Sequence, residues 1–205
     1  MKPLEAAPGA HLHPALLDAS GQSKVLAAVR AVIAQAPLFA PVMPRTGVPF
    51  SVRMTNCGAL GWVSDREGYR YQPHHPDTGR PWPPIPPEIA DLWTQLLPYA
   101  PHPEACLINY YAGEAKMGLH QDRDERNFDV PVLSLSLGDD ARFRIGGATR
   151  GGPTKAFRLR SGDGFTFGGP SRLAFHGVDR VYHATSTLLG EGGRFNLTLR
   201  RVTPP

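Results

Sequence analysis

Apolar residues recur at helical spacing in two stretches of the first half of the chain. The first stretch is SKVLAAVRAVIAQAP, with apolar positions at Val25, Leu26, Val29, Val32 and Ile33. We expect Ser23 to cap this helix and Pro37 to end it. The second stretch is PPEIADLWTQLLPYA, with proline at its first turn and apolar positions at Ile89, Leu92, Trp93 and Leu96. The spacing predicts two packing helices, with Trp93 in the core.

From residue 105 onward the pattern changes to short strand-like runs separated by turns that contain glycine. The runs are ACLINYYAG, VPVLSLSLG, ARFRIGG, KAFRLRSGD, GFTFGG and GRFNLTLRRV. They predict a sandwich or barrel of antiparallel strands. Between the helices, hairpin-like strands are predicted in FSVRMTNCGALGWVSDREGYRYQP, which a proline-rich connection follows. We therefore predict a mostly β fold with flanking helices, in which this middle segment covers the sandwich.

Composition narrows the class of protein. The chain has 205 residues, including 22 prolines and 22 glycines, which suits a single core with many turns. Cys57 and Cys106 are the only cysteines, which excludes a disulfide framework and a cysteine-rich zinc site. No stretch resembles a signal peptide or a membrane span, so we expect a cytoplasmic protein with no membrane partner. A net charge of +4 fits a polyanionic partner but is also that of an ordinary surface.

Polar side chains occupy every second position in part of LHQDRDERNFDVPVLSLSLG, at His120, Asp122 and Asp124. A strand turns alternate side chains to one side, so His120 and Asp122 are expected to point at one place, as two ligands of a metal would. Such a triplet also arises by chance, but His176 in RLAFHGVDRV offers a third ligand from another strand. Two histidines and one carboxylate form the facial arrangement of non-haem Fe(II) oxygenases.

The other histidines fit a metal site less well. They lie in proline-rich or irregular segments or after a turn, where we expect surface positions. They are His11, His13, His74, His75, His102 and His183.

Alternation along RFNLTLRR places four polar side chains on one face of a strand, namely Arg194, Asn196, Thr198 and Arg200. An exposed strand would explain this face, but arginine forks also suit a small dicarboxylate, which they bind in a two-pronged manner. In LINYY the alternation likewise pairs Asn109 with Tyr111. These two are either packing residues or further donors for the same anion.

Several segments together resemble the AlkB family of Fe(II)- and 2-oxoglutarate-dependent nucleic acid dealkylases. They are NYYAGEAKMGLHQDRDE, SLSLGDDARFRIGG, FGGPSRLAFHGV, RFNLTLR and, upstream, MTNCGALGWVSDREGYRY. The resemblance implies a double-stranded β-helix, or jelly roll, that holds the metal under an N-terminal nucleotide-recognition lid. We accordingly assign residues 1–104 to the N-terminal extension, helices and lid, and residues 105–205 to the catalytic core of one continuous domain.

The resemblance also implies roles for individual residues. The iron ligands are matched by His120, Asp122 and His176, and the residue that holds the distal carboxylate of 2-oxoglutarate is matched by Arg200. Other groups around this co-substrate are matched by Asn109, Tyr111, Arg194 and Asn196. Groups of the lid and the damaged base are matched by Met54, Trp62, Tyr69, Asp124 and Arg150. Phe167 departs from the bacterial pattern, which has tryptophan there, so an indole N–H is lost.

The reaction that the resemblance implies is oxidative demethylation of bases in alkylated DNA, single- or double-stranded. Fe(II), 2-oxoglutarate and dioxygen take part, and formaldehyde, succinate and carbon dioxide are released. A base methylated at a pairing nitrogen, such as 1-methyladenine or 3-methylcytosine, is cationic and costs less to extrude from the stack. Because aromatic faces and carboxylates attract a cation, we expect Trp62, Tyr69 and Asp124 to bind the same cationic base.

Three alternatives stay open at this point. An oxygenase of the same fold could act on RNA, protein or lipid, and the sequence shows no reader of the 2′-hydroxyl. A nucleic-acid-binding module could keep the sandwich without the chemistry. A zinc hydrolase would leave the arginine face without a purpose. We expect a monomeric enzyme.

Overall fold

Two antiparallel sheets, one separate hairpin and two helices make up the fold, as described for residues 2–204 of a computed structural model. The helices are α1 (Ala19–Gln35) and α2 (Pro87–Leu96). The strands before residue 105 are β1 (Leu4–Ala7), β2 (Ala10–His13), β3 (Arg53–Gly58), β4 (Gly61–Asp65) and β5 (Gly68–Gln72). The later strands are β6 (Ala105–Tyr111), β7 (Met117–His120), β8 (Val132–Gly138), β9 (Asp140–Ile145), β10 (Lys155–Leu159), β11 (Gly164–Phe167), β12 (His176–Tyr182) and β13 (Arg194–Arg200).

The two sheets face each other as a sandwich, which confirms the prediction of antiparallel layers. The larger sheet has the order β1-β2-β11-β8-β13-β6-β3, and the smaller has the order β10-β9-β12-β7. Apolar side chains from both sheets meet between them, and the rings of Phe143 and Phe165 lie 4.8 Å apart. The inner faces of the two sheets therefore enclose the space in which a site can form.

The larger sheet is buried on both faces, and its two faces differ in polarity. Leu133, Leu135 and Leu197 point outward and join a second core with the buried faces of the two helices. Between them, Ser134 and Ser136 point inward, as the pleat requires. The inner face of the central strands is thus polar, which is unusual for a packed interior and favours a binding cavity there.

The helices follow the predicted pattern except at one cap. Trp93 is only 1% exposed and α2 begins with proline at its first position, both as predicted. Ser23 does not cap α1, because Asp18 lies five residues earlier and its Oδ1 accepts a 2.7 Å hydrogen bond from the backbone N–H of Gly21. The helix starts where the first suitable acceptor occurs, and Ser23 instead bonds back to the carbonyl of Ala19 within it.

Three strands from the first hundred residues belong to the larger sheet. β2 pairs with β11 and β3 pairs with β6, so the N-terminal part contributes to the sandwich as well as to its cover. His11 and His13 lie on β2, and the expectation that they occupy irregular segments is wrong. β4 and β5 form the separate hairpin, which confirms the hairpin-like strands predicted in the middle segment.

His75 also differs from expectation. It is buried rather than exposed, with its Nε2 2.8 Å from the carbonyl oxygen of Pro37 and its ring packed against Phe39 and Trp82. A proline-rich connection is normally at the surface, but here it folds over these aromatic rings. No helix in the described part of the chain has the length and apolar character needed to cross a bilayer.

Candidate functional site

A cavity of about 520 Å³ opens between the two sheets and under the β4–β5 hairpin. It is lined by both predicted histidine ligands, by the polar inner face of the larger sheet and by the aromatic residues of the hairpin. The cavity thus brings together residues that are far apart in sequence, and three groups of them can be distinguished.

The first group is a cluster of His120, Asp122 and His176, whose candidate ligand atoms all lie within 4.8 Å of one another. His120 ends β7 and His176 begins β12, and the two are directly opposite in the strand register. Gly177 permits this close approach, since a Cβ there would lie 2.6 Å from the carbonyl oxygen of Met117. The Nε2 atoms of the two histidines are 3.7 and 3.8 Å from Asp122 Oδ1.

The two histidine rings are held in one tautomer. The Nδ1 atoms of His120 and His176 each lie 2.9 Å from a backbone carbonyl, of Gly118 and Ala174 respectively. A carbonyl only accepts, so each Nδ1 carries the hydrogen and each Nε2 presents a lone pair to the cluster. Burial and the neighbouring His120 lower the pKa of His176 to about 4, which keeps the ring neutral near pH 7.

Asp122 completes the cluster from outside regular structure. The strand ends at His120, so the argument that strand alternation aims both residues at one point is wrong for Asp122. Its carboxylate is aimed by Arg200, whose Nε and Nη2 donate to Oδ2 at 3.0 and 2.7 Å and leave Oδ1 toward the histidines. Burial alone would raise the pKa of Asp122, but Arg200 and the two histidines lower it well below its usual value.

The position of Arg200 changes the role expected for it. The resemblance implied that Arg200 holds the distal carboxylate of 2-oxoglutarate, but its guanidinium is occupied by Asp122 and by the hydroxyl of Tyr71. It lies at the metal cluster rather than at a distance from it. Strand alternation predicted the correct face for Arg200 but did not fix its partner.

The second group lies on the inner faces of β13 and β6, where Arg194 is opposite Tyr111 and Asn196 is opposite Asn109. Arg194 is 0% exposed, and its Nη atoms donate to the carbonyls of Asp139 and Leu159 and to Ser136 Oγ. Within the described residues, its Nε has no partner, and neither does Asn109 Oδ1.

The electrostatics of this second group favour an anion. Burial lowers the pKa of Arg194 to about 10, so the guanidinium stays charged at neutral pH. Burial also raises the pKa of Tyr111, which keeps its hydroxyl protonated and able to donate. A buried charge that still has a free donor is costly unless a ligand completes it.

The third group forms the mouth of the cavity. The rings of Trp62 and Tyr69 are stacked at 5.7 Å and 16°, and Tyr69 is 51% exposed. Trp62 is fixed to β3 by Asn56, whose side chain bonds both the backbone N–H and the carbonyl of Trp62 at 3.0 Å. On the far side, Asp124 Oδ2 accepts a 2.8 Å hydrogen bond from Trp62 Nε1.

The remaining predicted residues also line the cavity. Met54 is buried on β3, and the guanidinium of Arg150 lies 4.8 Å from the centre of the Phe175 ring. Phe167 is buried with its ring 4.7 Å from that of His176. All the predicted site residues except the fully enclosed Arg194 therefore touch this one space.

Sequence reasoning missed four residues that support the site. They are Asn56, Tyr71, Glu125 and Arg172, which hold Trp62, Arg200 and Asp122 through hydrogen bonds. Glu125 lies in the charged run DRDER, where its exposed neighbours disguise a buried carboxylate. The burial of Glu125 follows from its ion pair with Arg172. No pattern along the sequence indicates that these two residues are in contact.

Comparison with known proteins gives a consistent result. A family model described as the 2OG-Fe(II) oxygenase superfamily matches residues 9–200. The alpha-ketoglutarate-dependent dioxygenase AlkB homolog of Caulobacter vibrioides is 54% identical over 201 residues, which covers 98% of this chain and 91% of that protein. The alpha-ketoglutarate-dependent dioxygenase AlkB of Escherichia coli is 42% identical over 175 residues, with coverages of 83% and 80%.

The fold has a close match among solved structures. The structure of OsALKBH1 superposes with a TM-score of 0.83 at 29% identity, over 98% of this chain and 100% of that one. The prediction of a jelly-roll fold is thereby confirmed, as is the prediction of Fe(II) and 2-oxoglutarate as requirements.

Proposed function

The chain belongs to the AlkB family of 2OG-Fe(II) oxygenases, and from this premise we propose that it demethylates DNA bases methylated at a pairing nitrogen. Its proposed substrates are 1-methyladenine and 3-methylcytosine. One observation carries the proposal: a single cavity joins the His-Asp-His cluster to a stacked aromatic pair and a carboxylate. That combination suits a flat, cationic ring whose substituent must reach a metal.

We assign His120, Asp122 and His176 as the ligands of Fe(II). The donor set fits, because imidazole and carboxylate suit this ion and the three ligand atoms lie within 4.8 Å of one another, so they would bind it together. Two lone pairs at Nε2 and one carboxylate oxygen converge, while Arg200 occupies the other oxygen of Asp122. Arg200 therefore leaves Oδ1 of Asp122 as the oxygen that would bind the ion.

We assign Arg194 as the anchor of the distal carboxylate of 2-oxoglutarate, in place of Arg200. Its Nε is a buried donor without a partner in the described residues, which is the feature a carboxylate oxygen would satisfy. Tyr111 lies opposite Arg194 and would donate to the same anion. Asn196 lies at the next inner position of β13, where its Nδ2 donates to Ser134 Oγ and to the carbonyl of Leu135, so it would contact the co-substrate without a free donor. Asn109 lies nearer β3 and would orient the co-substrate from the side.

When bound, iron and 2-oxoglutarate supply, with dioxygen, the oxidation that hydroxylates the methyl group and leads to formaldehyde, succinate and carbon dioxide. The residues of the chain provide position and a dry environment. Phe143 and Phe167 pack against the ring of His176, at 6.0 and 4.7 Å, and keep water from that side of the cluster. Trp62 and Tyr69 would hold the base, with Asp124 beside its positive charge.

The proposed substrate includes the type of nucleic acid, DNA or RNA. A stacking face and a carboxylate serve a base in RNA as well as one in DNA, so both belong in the test. We further propose that the enzyme acts as a monomer in the cytoplasm, since one chain supplies every group named above and its two cysteines are free thiols.

Mass spectrometry of short oligonucleotides tests this function. Matched DNA and RNA strands that carry one 1-methyladenine, 3-methylcytosine or 3-methylthymine are incubated with the protein, Fe(II) and ascorbate, with 2-oxoglutarate present or withheld. We expect a loss of 14 mass units, the difference between a methyl group and a hydrogen, only when 2-oxoglutarate is present, and the matched strands show whether DNA or RNA is the better substrate. Conversion of 2-oxoglutarate without any loss of methyl from these strands would contradict the proposed substrate.

A further inference from the structure

Glu125 is a carboxylate buried between two arginines, just beyond the metal cluster. Its side chain is 1% exposed, although it lies among charged residues of a loop. Arg172 Nη2 is 3.2 Å from Oε2, and Arg200 Nε is 3.3 Å from Oε1. A buried carboxylate is costly unless it is paired, and here it neutralises two guanidinium groups at once.

Both arginines reach Asp122, by different atoms. Arg200 donates twice to the carboxylate, whereas Arg172 Nη1 donates to the backbone carbonyl of Asp122 at 2.8 Å. Asp122 lies past the end of β7 and has no strand partner to fix its backbone. The pair of arginines, bridged by Glu125, replaces that missing support at both the main chain and the side chain.

Tyr71 brings the hairpin into the same network. Its hydroxyl lies 2.5 Å from Glu125 Oε1 and accepts a 3.2 Å hydrogen bond from Arg200 Nη1. Burial raises the pKa of Tyr71 well above its usual value, so the hydroxyl stays protonated. It therefore acts as the hydrogen-bond donor to Glu125. Tyr71 is directly opposite Trp62 in the β4–β5 register, so the residue at the mouth and the residue at the metal share one hairpin.

We propose that Glu125 is a positioning residue for the metal ligand Asp122, and that Tyr71 couples the β4–β5 hairpin to the metal centre through Glu125 and Arg200. Binding of a divalent ion then stabilises the hairpin, and the hairpin in turn strengthens ion binding, since such coupling is reciprocal. The inference rests on the metal ligands of the proposed function but needs no substrate. It explains why Glu125 and Tyr71 are connected to Asp122 through Arg200, although neither of them contacts Asp122 directly.

The first experiment measures Mn(II) binding by calorimetry in the full-length protein. Glu125→Gln is expected to weaken Mn(II) binding by about 10-fold or more, in line with the roughly 10- to 100-fold effect of residues that orient metal ligands. Glu104→Gln is the matched control, because Glu104 also accepts several hydrogen bonds but near the C-terminal end, away from the metal. Unchanged Mn(II) affinity in a folded Glu125→Gln variant would overturn the role of Glu125.

Tyr71→Phe provides a gentler variant in case Glu125→Gln does not fold. Loss of the two hydrogen bonds of this hydroxyl, to Glu125 and from Arg200, is expected to weaken Mn(II) binding by about 2- to 10-fold. Tyr110→Phe is its matched control, because that hydroxyl bonds the carbonyl of Gly192 outside the network. Equal Mn(II) affinities in the wild type and in Tyr71→Phe would show that the hairpin does not support the metal centre.

The second experiment follows amide hydrogen exchange in the hairpin, residues 61–72. We expect Mn(II) to slow exchange there in the wild type and in Tyr110→Phe, and expect this protection to be lost in Tyr71→Phe. Protection that persists in Tyr71→Phe, or that is absent from the wild type, would overturn the coupling. Neither readout uses an oligonucleotide, so failure of the inference is distinct from failure to demethylate.

Discussion

Trp62 Nε1 donates a 2.8 Å hydrogen bond to Asp124 Oδ2 across the mouth of the cavity. The bond joins the stacking face of the hairpin to a carboxylate that also lines the cavity. A base stacked on Trp62, as we propose, would therefore lie close to Asp124. The indole N–H also holds the carboxylate in place, so the aromatic ring and the acid act as one unit.

The role that we propose for Trp62 in substrate binding can be separated from its effect on the position of Asp124. Trp62→Ala is expected to weaken binding of a methylated oligonucleotide by about 1–3 kcal/mol, the usual value of a stacking platform. Trp62→Phe keeps an aromatic face but loses the bond to Asp124, so its loss should be smaller. Fluorescence anisotropy with Mn(II) in place of iron measures both, and equal affinity in all three proteins would make Trp62 a packing residue.

Removal of one ligand should abolish metal binding without unfolding the chain. His176→Ala is expected to weaken divalent-ion binding by more than about 100-fold, since loss of a mere supporting residue already costs about 10- to 100-fold. Turnover should vanish, while thermal unfolding stays close to that of the wild type. His102→Ala, a change at an exposed histidine, is the control. Retained metal binding in His176→Ala would place the third ligand elsewhere.

Substitution of the two arginines on β13 should affect different binding equilibria. Arg194→Lys is expected to weaken 2-oxoglutarate binding by about 10-fold or more, because charged hydrogen bonds contribute about 1.5–3 kcal/mol each. Mn(II) affinity should change little, since Arg194 does not contact Asp122. Titration of 2-oxoglutarate into the Mn(II) protein measures the first quantity and calorimetry the second.

Arg200→Lys should show the opposite pattern. An ammonium cannot reproduce the two bonds that Arg200 makes to Asp122 Oδ2, so Mn(II) binding should weaken by about 10- to 100-fold. The affinity for 2-oxoglutarate, measured at saturating Mn(II), should change less than in Arg194→Lys. The reverse result would return the anchoring role to Arg200, as the family resemblance implied.

The contrast between these arginines shows what the sequence can predict. Alternation along RFNLTLR identified the correct face, because the period of a strand is fixed by backbone geometry. Alternation did not predict which arginine contacts the metal ligand Asp122, because that contact depends on the three-dimensional position of each arginine. A free Nε on Arg194 and an occupied guanidinium on Arg200 are visible only once the strands are paired.

The metal cluster was predictable for a reason that proved only half correct. His120 and His176 do lie on paired strands, but Asp122 is beyond the strand and owes its direction to Arg200 and Arg172. Long-range polar contacts of this kind leave no local pattern, and Glu125 looked like any solvated acid of a charged run. β1 and β2 were missed for a different reason, since each strand is only four residues long.

Asp124 offers the sharpest test of substrate choice. Its carboxylate should favour a cationic base over a neutral one, because a full negative charge about 4 Å away contributes about 1 kcal/mol in water and more in a partly enclosed site. Asp124→Asn removes the charge but keeps an oxygen that can accept the hydrogen bond from Trp62 Nε1. The mouth should therefore keep its shape.

We expect Asp124→Asn to reduce kcat/KM about 5-fold more on 1-methyladenine than on 3-methylthymine, which is neutral, as a charge effect of about 1 kcal/mol requires. Metal content should stay unchanged, because Asp124 is not among the three clustered ligands. Asp129→Asn, at an exposed position further along the same loop, is the control and should affect both bases alike. Equal losses on the two bases in Asp124→Asn would mean that the carboxylate supports the mouth through Trp62 alone, and no loss on either base would mean that it serves neither purpose.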